Sequence, residues 1–186
     1  MRILKLLALA ALLPACSGHT VYRFEVDLLS FIPENQRAGS LTVPPGGIQV
    51  LLPGQGGQPV SLPGAKALLD GRMQGALEVV NNTALPLTAS LEVRVGPAGD
   101  QNLFDGDQDV RWGIAQADLN PNETRVIALD LPLDSSAPAV YTLVKSGDFR
   151  IGLRIGFSTG AGSVRYALQR EDLTLRLKPF NLIPNP

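Results

Sequence analysis

Three carboxylates stand at alternate positions in Phe104-Asp105-Gly106-Asp107-Gln108-Asp109. Oxygen ligands at i, i+2 and i+4 converge on one hard cation when the chain curls, so Asp105, Asp107 and Asp109 are candidate Ca2+ ligands, with Asp118 or Asn102 to complete the set. An EF-hand loop is excluded, because the position needing glycine is Val110 and the one needing a bidentate glutamate is Gln116. The alternative is a solvated acidic turn between strands. A second candidate is cationic: Arg150, Arg154, Arg165 and Arg176 recur at strand spacing and could bind an anionic surface such as lipid phosphate or acidic polysaccharide. The plainer alternative there is a solvated sheet face with Glu171 and Asp172 interspersed.

Nucleophilic catalysis has little to work with. The only histidine, His19, lies far from the rest of the chemistry, and Lys66, Lys145 and Lys178 carry no motif that would make them bases for a serine. Seventeen acids leave paired-carboxylate hydrolysis open, but their spacing selects no pair. Trp112, between Arg111 and Gly113, reads as a core or rim residue more than as a ligand platform. Gly160 and Gly162 fall in a turn between strand patterns, not in a phosphate-cradling strand-to-helix loop.

The strongest signal is N-terminal. Arg2 and Lys5 precede an eight-residue run of Leu and Ala, Leu6 to Leu13, which is too short to span a bilayer and reads as a secretory signal peptide. It ends at Leu13-Pro14-Ala15-Cys16, which resembles the lipobox of bacterial lipoproteins. The resemblance implies that Cys16 becomes the first mature residue, carrying diacylglycerol on sulfur and often a further acyl chain such as palmitate on its amine. It also makes the sulfur a thioether, which removes Cys16 as a catalytic thiolate. Two or three chains, at about 0.8 kcal/mol per buried methylene, make a lasting membrane anchor. Ser17, a non-acidic residue after the cysteine, goes with outer-membrane rather than inner-membrane delivery in enterobacterial lipoproteins.

Composition bounds what the exported part can be. The 186 residues are 45% hydrophobic and 18% charged with a net charge of -1, which excludes wholesale disorder and argues against a nucleic-acid binder. One cysteine excludes an internal disulfide framework and a Cys/His zinc site.

The elements that must position these residues follow a period of two. Tyr22, Phe24, Val26 and Leu28 alternate with Arg23, Glu25 and Asp27, the pattern of a half-buried strand. Residues 41–64 are punctuated by Pro and Gly, leaving room for short strands such as Ile48 to Leu52. Ala76 to Val80 and Leu87 to Val95 predict a hairpin about Asn81-Asn82-Thr83-Ala84, with Asn81-Asn82-Thr83 and Asn122-Glu123-Thr124 read as turn chemistry. A strand is expected at Thr124 to Leu131, another at Ala139 to Val144, and single helical turns at Ala65 to Leu69 and Ile114 to Leu119. The last forty residues predict a meander in which Ser158 pairs with Ser163, Arg150 with Glu171 and Gly156 with Arg165.

Together these predict an all-β antiparallel sandwich of eight or nine strands with immunoglobulin-like connectivity, without the Cys…Trp…Cys signature. The expected organisation is a cleaved leader (1–15), a lipidated tether (16–20), one sandwich (21–178) and a Pro-rich tail (179–186). The function expected is that of a lipid-anchored envelope protein, non-catalytic, serving an envelope protein complex as a structural, assembly or accessory subunit. A calcium- or carbohydrate-binding module is the alternative, and a two-carboxylate hydrolase the next.

Overall fold

The computed structural model describes residues 21–158 and 162–178. Cys16, the leader, the tether and the C-terminal tail lie outside the described residues. Ten strands form the frame: β1 Tyr22–Asp27, β2 Ala38–Val43, β3 Ile48–Leu52, β4 Gln58–Ser61, β5 Leu68–Asn81, β6 Leu87–Pro97, β7 Val110–Leu119, β8 Thr124–Leu133, β9 Asp148–Ser158 and β10 Gly162–Leu177. Two short helices, α1 Glu34–Arg37 and α2 Pro138–Lys145, and 3-10 turns at Leu28–Phe31 and Ala65–Ala67 complete it.

Every strand pairing is antiparallel, and the strands divide into two sheets. Sheet I runs β1-β10-β5-β8 with β2 also on β10; sheet II runs β3-β9-β6-β7 with β4 also on β9. β1 pairs with Asp172–Leu177 and β2 with Gly162–Ala167, so together they make one interrupted strand along the edge of β10. β3 and β4 divide β9 in the same way. Pro33 lies in the break between β1 and β2, and Pro53 with three glycines in that between β3 and β4; proline removes a ladder donor.

The all-β antiparallel sandwich is therefore present, and counting each broken edge once gives eight strands. Their order is first-eighth-third-sixth in one sheet and second-seventh-fourth-fifth in the other, the nested Greek keys of a jelly roll rather than an immunoglobulin-like arrangement. The difference lies in two connections. β5 and β6 do not form the expected hairpin: β5 pairs with β8 and β10, β6 with β7 and β9, and residues 82–86 carry the chain from sheet I to sheet II. Nor do β9 and β10 pair with each other, so Arg150 faces Gly96 and Pro59 while Glu171 faces Gly75. Alternation specifies which face of a strand is buried, but both neighbours in a sandwich satisfy the same alternation.

Residues 139–144 are helix and not strand. Pro138 sits in the first turn, where its missing N–H costs nothing, and Val140 and Val144 are buried one turn apart. Ala65–Ala67 does make a single turn, whereas residues 114–119 continue β7. The core lies between the sheets, with Met73, Leu77, Val79, Leu173 and Leu175 of sheet I against Leu91, Val93, Ile155 and Phe157 of sheet II.

The turn chemistry expected at Asn81 is present. Its side chain is fully buried, donates to the carbonyls of Leu85, Leu119 and Asn120 at 3.0–3.1 Å, and accepts from the Thr83 N–H at 2.9 Å. One amide thereby ties the sheet-to-sheet crossover to the end of β7. Asn122 takes the left-handed conformation (φ 62°), which asparagine tolerates better than most residues.

Candidate functional site

The acidic loop belongs to the connection between β6 and β7, and that connection folds back over the outer face of sheet II. Leu103 is fully buried there, tied by its N–H to the Gln55 carbonyl at 3.0 Å. Phe104 lies over Gly152 of β9, where a Cβ would sit 3.0 Å from the ring, so glycine at 152 makes room for the loop.

Beneath this cover lies a network of charges. Glu92, only 2% exposed, accepts from Arg94 at 2.6 Å through one oxygen and from Arg154 through the other; Arg94 also pairs with Asp109. Burial pushes the Glu92 carboxyl up, but hydrogen bonds from Arg94 and Arg154, with their charges, outweigh it and hold the group below the ordinary glutamate range. The Arg154 guanidinium lies 5.8 Å from the Phe104 ring centre, close enough for a cation–π contact.

This geometry separates the three loop carboxylates. Asp109 is committed to Arg94 and to the Gly106 N–H at 2.7 Å, while Asp105 and Asp107 are exposed, Asp105 accepting from the Asp107 N–H at 3.0 Å. Asp118 accepts from Thr88 at 2.6 Å, and Asn102 accepts from the Phe104 N–H at 3.3 Å. Among the described residues no group of three or more His, Cys, Asp or Glu side chains is arranged to hold a metal ion.

The four arginines do not form a row, because β9 and β10 lie in different sheets. Arg150 and Arg154 are on the outer face of sheet II, where Arg150 donates to the Gly56 carbonyl at 2.5 Å and Arg154 is bound to Glu92. Arg165 and Arg176 are on the outer face of sheet I, with Arg176 paired to Asp70 at 3.0 Å. Opposite faces of a sandwich present no common surface to one ligand. Trp112 spans the sheets at their β7–β8 edge, its indole N–H donating to the Pro132 carbonyl at 2.9 Å.

The outer face of sheet I is open. A shallow groove of about 1080 Å³ runs across it beside α2, lined by Arg23, Asp70, Arg72, Asp130, Tyr141 and Arg176 among others. Its charges are of both signs and largely paired: Arg72 with Asp130, Arg176 with Asp70, and Arg23 with Glu25. Such a face is suited to a partner that presents charges of both signs, by complementarity and not by net attraction.

One acid departs from all of these. Glu171 is 0% exposed and faces the sandwich interior. The cause is a bulge in β10, where Leu168 opposes Leu77 and Arg170 opposes Ala76, leaving Gln169 as the extra residue. Without it Arg170 would oppose Gly75 and point inward, and a guanidinium cannot shed its charge. Glu171 takes that place, its carboxyl against Gly75, where a Cβ would lie 2.6 Å from Oε2. Neither carboxyl oxygen has a hydrogen-bond partner of normal geometry, and a weak contact with the Ala76 N–H offsets little of the burial. Burial, and then the charge of Asp172, push the group up to about 9, so it is neutral at pH 7.

No family model matches the chain, and no curated protein matches it. Solved structures do. The structure of infectious bursal disease virus, Gt strain, is 11% identical with a TM-score of 0.50 over 88% of this chain and 33% of that one. T=1 particles derived from the same virus give 12% identity, a TM-score of 0.46, and coverage of 88% and 33%. PirA is 11% identical with a TM-score of 0.38 over 74% of this chain and 97% of that one. The chain spans about a third of the length of the viral chains. At these identities the likeness shows the fold alone.

Sequence reasoning did not anticipate the network around Glu92 or the inward turn of Glu171. The first had one legible signal, the bare Gly152 among outward-facing arginines. The second depends on a single-residue bulge, which alternation does not encode.

Proposed function

We propose that the protein is a lipid-anchored cell-envelope protein, held in the outer membrane through Cys16, that acts without catalysis as a structural, assembly or accessory subunit. The observation that carries this reading is the position of the chain's one cysteine, separated only by Pro14 and Ala15 from an eight-residue apolar run and five residues before the described residues begin at Val21. Two features of the sandwich support a role through contacts. The loop between β6 and β7 covers the charged part of the outer face of sheet II around Glu92, while the charged outer face of sheet I stays open, so the latter is the broad charged surface that a partner subunit would use.

Mass analysis of the mature N-terminal peptide tests the anchor: an acylated Cys16 is expected, with palmitate incorporation lost in Cys16→Ser and processing blocked by globomycin. An unacylated mature chain overturns the reading. A photocrosslinking residue at Gln74, in the open face, is expected to capture an envelope protein in intact cells, whereas one at Ser90, on sheet II, is not.

A further inference from the structure

We infer that one end of the sandwich, bearing Lys66, Lys145 and Lys178 beside Tyr22 and Phe24, rests against the anionic phospholipid surface of the membrane that holds the anchor. The inference rests on the lipidation of Cys16 and adds an orientation and a contact surface to it.

The topology gathers this end from four separate stretches. Tyr22 opposes Leu177, and Leu177 opposes Leu68. The Lys178 N–H donates to the Ala67 carbonyl at 2.8 Å, next to Lys66 in the 3-10 turn. Tyr141 of α2 donates to the Leu68 carbonyl at 2.7 Å, Lys145 lies 5.2 Å from the Tyr141 ring centre, and the Leu62 N–H reaches the Gly147 carbonyl at 2.7 Å. All three lysines of the chain after Cys16 thus share one end, although they are far apart in sequence. Among the described residues none of them is in an ion pair, while the nearby acids Asp70 and Glu25 are paired to Arg176 and Arg23. The described acids there without a cation are Asp148, which accepts from Ser61, Asp134, which accepts from the Ser136 N–H, and Asp100 at the start of the β6–β7 connection, so the positive charge is local to the corner where Lys178 meets the turn that carries Lys66.

The apolar part has the same location. Register puts Tyr22 and Phe24 on the side of Leu177 and Leu175, toward the core, yet both are 46% exposed because β1 is an edge strand. Aromatic side chains of this kind settle at the water–lipid interface. Reach then fixes the geometry. The five steps from Cys16 to Val21 span at most about 18 Å, so an acylated cysteine holds this end, and not the other, at the bilayer. The far end, at Asn82, is separated from it by the length of β5, about 40 Å. Lysines facing an anionic leaflet complete the contact by charge complementarity.

The test uses the acylated, full-length mature protein reconstituted into vesicles of phosphatidylglycerol and brominated phosphatidylcholine. An environment-sensitive fluorophore is placed at Pro63→Cys, an exposed position in the loop before Lys66, or at Asn82→Cys. Strong quenching at position 63 and little at 82 is expected. Each lysine shifts the docked-to-free ratio roughly fivefold, so Lys66→Gln with Lys178→Gln lowers it roughly 25-fold. Equal quenching at both positions, or quenching unmoved by the lysine pair, with the acyl mass intact, overturns the orientation and leaves the anchor standing. Excimer emission between pyrene labels at position 63 also overturns it and assigns the end to a second copy of the chain. Absence of the acyl mass overturns anchor and orientation together.

Discussion

Glu171 makes stability depend on pH in a direction opposite to most acids. In the unfolded chain its carboxyl ionises at the ordinary value of 4.5, while in the folded sandwich it holds its proton to about 9. Between those values the folded state binds one proton more than the unfolded state, so stability falls as pH rises, by about 1.4 kcal/mol per unit. The contribution is complete below pH 4.5 and lost progressively up to about 9. At pH 7, two and a half units above the unfolded value, the accumulated cost is about 3 kcal/mol, a large share of the 5–15 kcal/mol typical of a domain. Glu171→Gln keeps the shape of the neutral acid but removes its titration, so it is expected to stabilise the fold by about 3 kcal/mol at pH 7 and by almost nothing at pH 4. In melting temperature the gain is roughly 10 °C. Urea denaturation of both proteins at intervals from pH 5 to 8 reads the slope directly. That window is clear of Glu92, Glu123, Asp130 and Asp134, which are all held low and lose their charge on the acid side. A wild-type stability that stays level from pH 5 to 8, or a variant with the same slope, refutes the burial argument.

Four further outcomes are expected. Asn81→Ala removes three donated bonds and one accepted bond at the crossover and is expected to cost about 2–4 kcal/mol by chemical denaturation. Glu92→Gln leaves Arg94 and Arg154 without their shared anion and should destabilise by about 2–3 kcal/mol at pH 7, an effect that disappears as acid protonates the wild-type carboxylate. Trp112→Phe loses only the bond to the Pro132 carbonyl, about 1 kcal/mol, with the packing largely kept. Calcium is expected to leave the melting temperature unchanged, because Asp109 is committed to Arg94; a rise abolished by Asp107→Asn would show that the loop rearranges around a cation.

What could be read ahead of the structure was the burial of each strand, and what could not was its neighbours. The alternation of Phe149, Ile151, Leu153, Ile155 and Phe157 with arginine and glycine identifies the inward face of β9 correctly. It is silent on whether that strand pairs with β10 or with β6, since either neighbour leaves the same side chains inside. The arginine row failed for this reason: Arg154 and Arg165 are close in sequence and on opposite sides of the molecule. The acidic loop departs from its spacing pattern for another reason. Spacing at i, i+2 and i+4 describes ligands only if nothing else claims them, and Arg94, on a strand whose neighbours were unknown, claims Asp109. The helix at 138–145 escaped because six residues are too few to separate a period of two from one of 3.6.

The two outer faces of the sandwich have been put to different uses by the same residue types, and length of connection explains the division. Between β6 and β7 the chain has twelve residues, enough to return across sheet II, bury Leu103 and lay the half-buried Phe104 over Gly152, so the ions beneath are shielded and Glu92 becomes 2% exposed. Sheet I has no such cover, and its pairs Arg72–Asp130 and Arg176–Asp70 stay in water, where each is worth about 0–1 kcal/mol. Ion pairs that contribute so little to folding are free to exchange partners, since an incoming anion or cation gives back about what it displaces. Sheet II lacks that freedom, because parting Glu92 from its arginines strands a buried charge. A partner that reads charge therefore has one face to choose. In the proposed membrane-bound orientation, that face stands beside the bilayer and not against it.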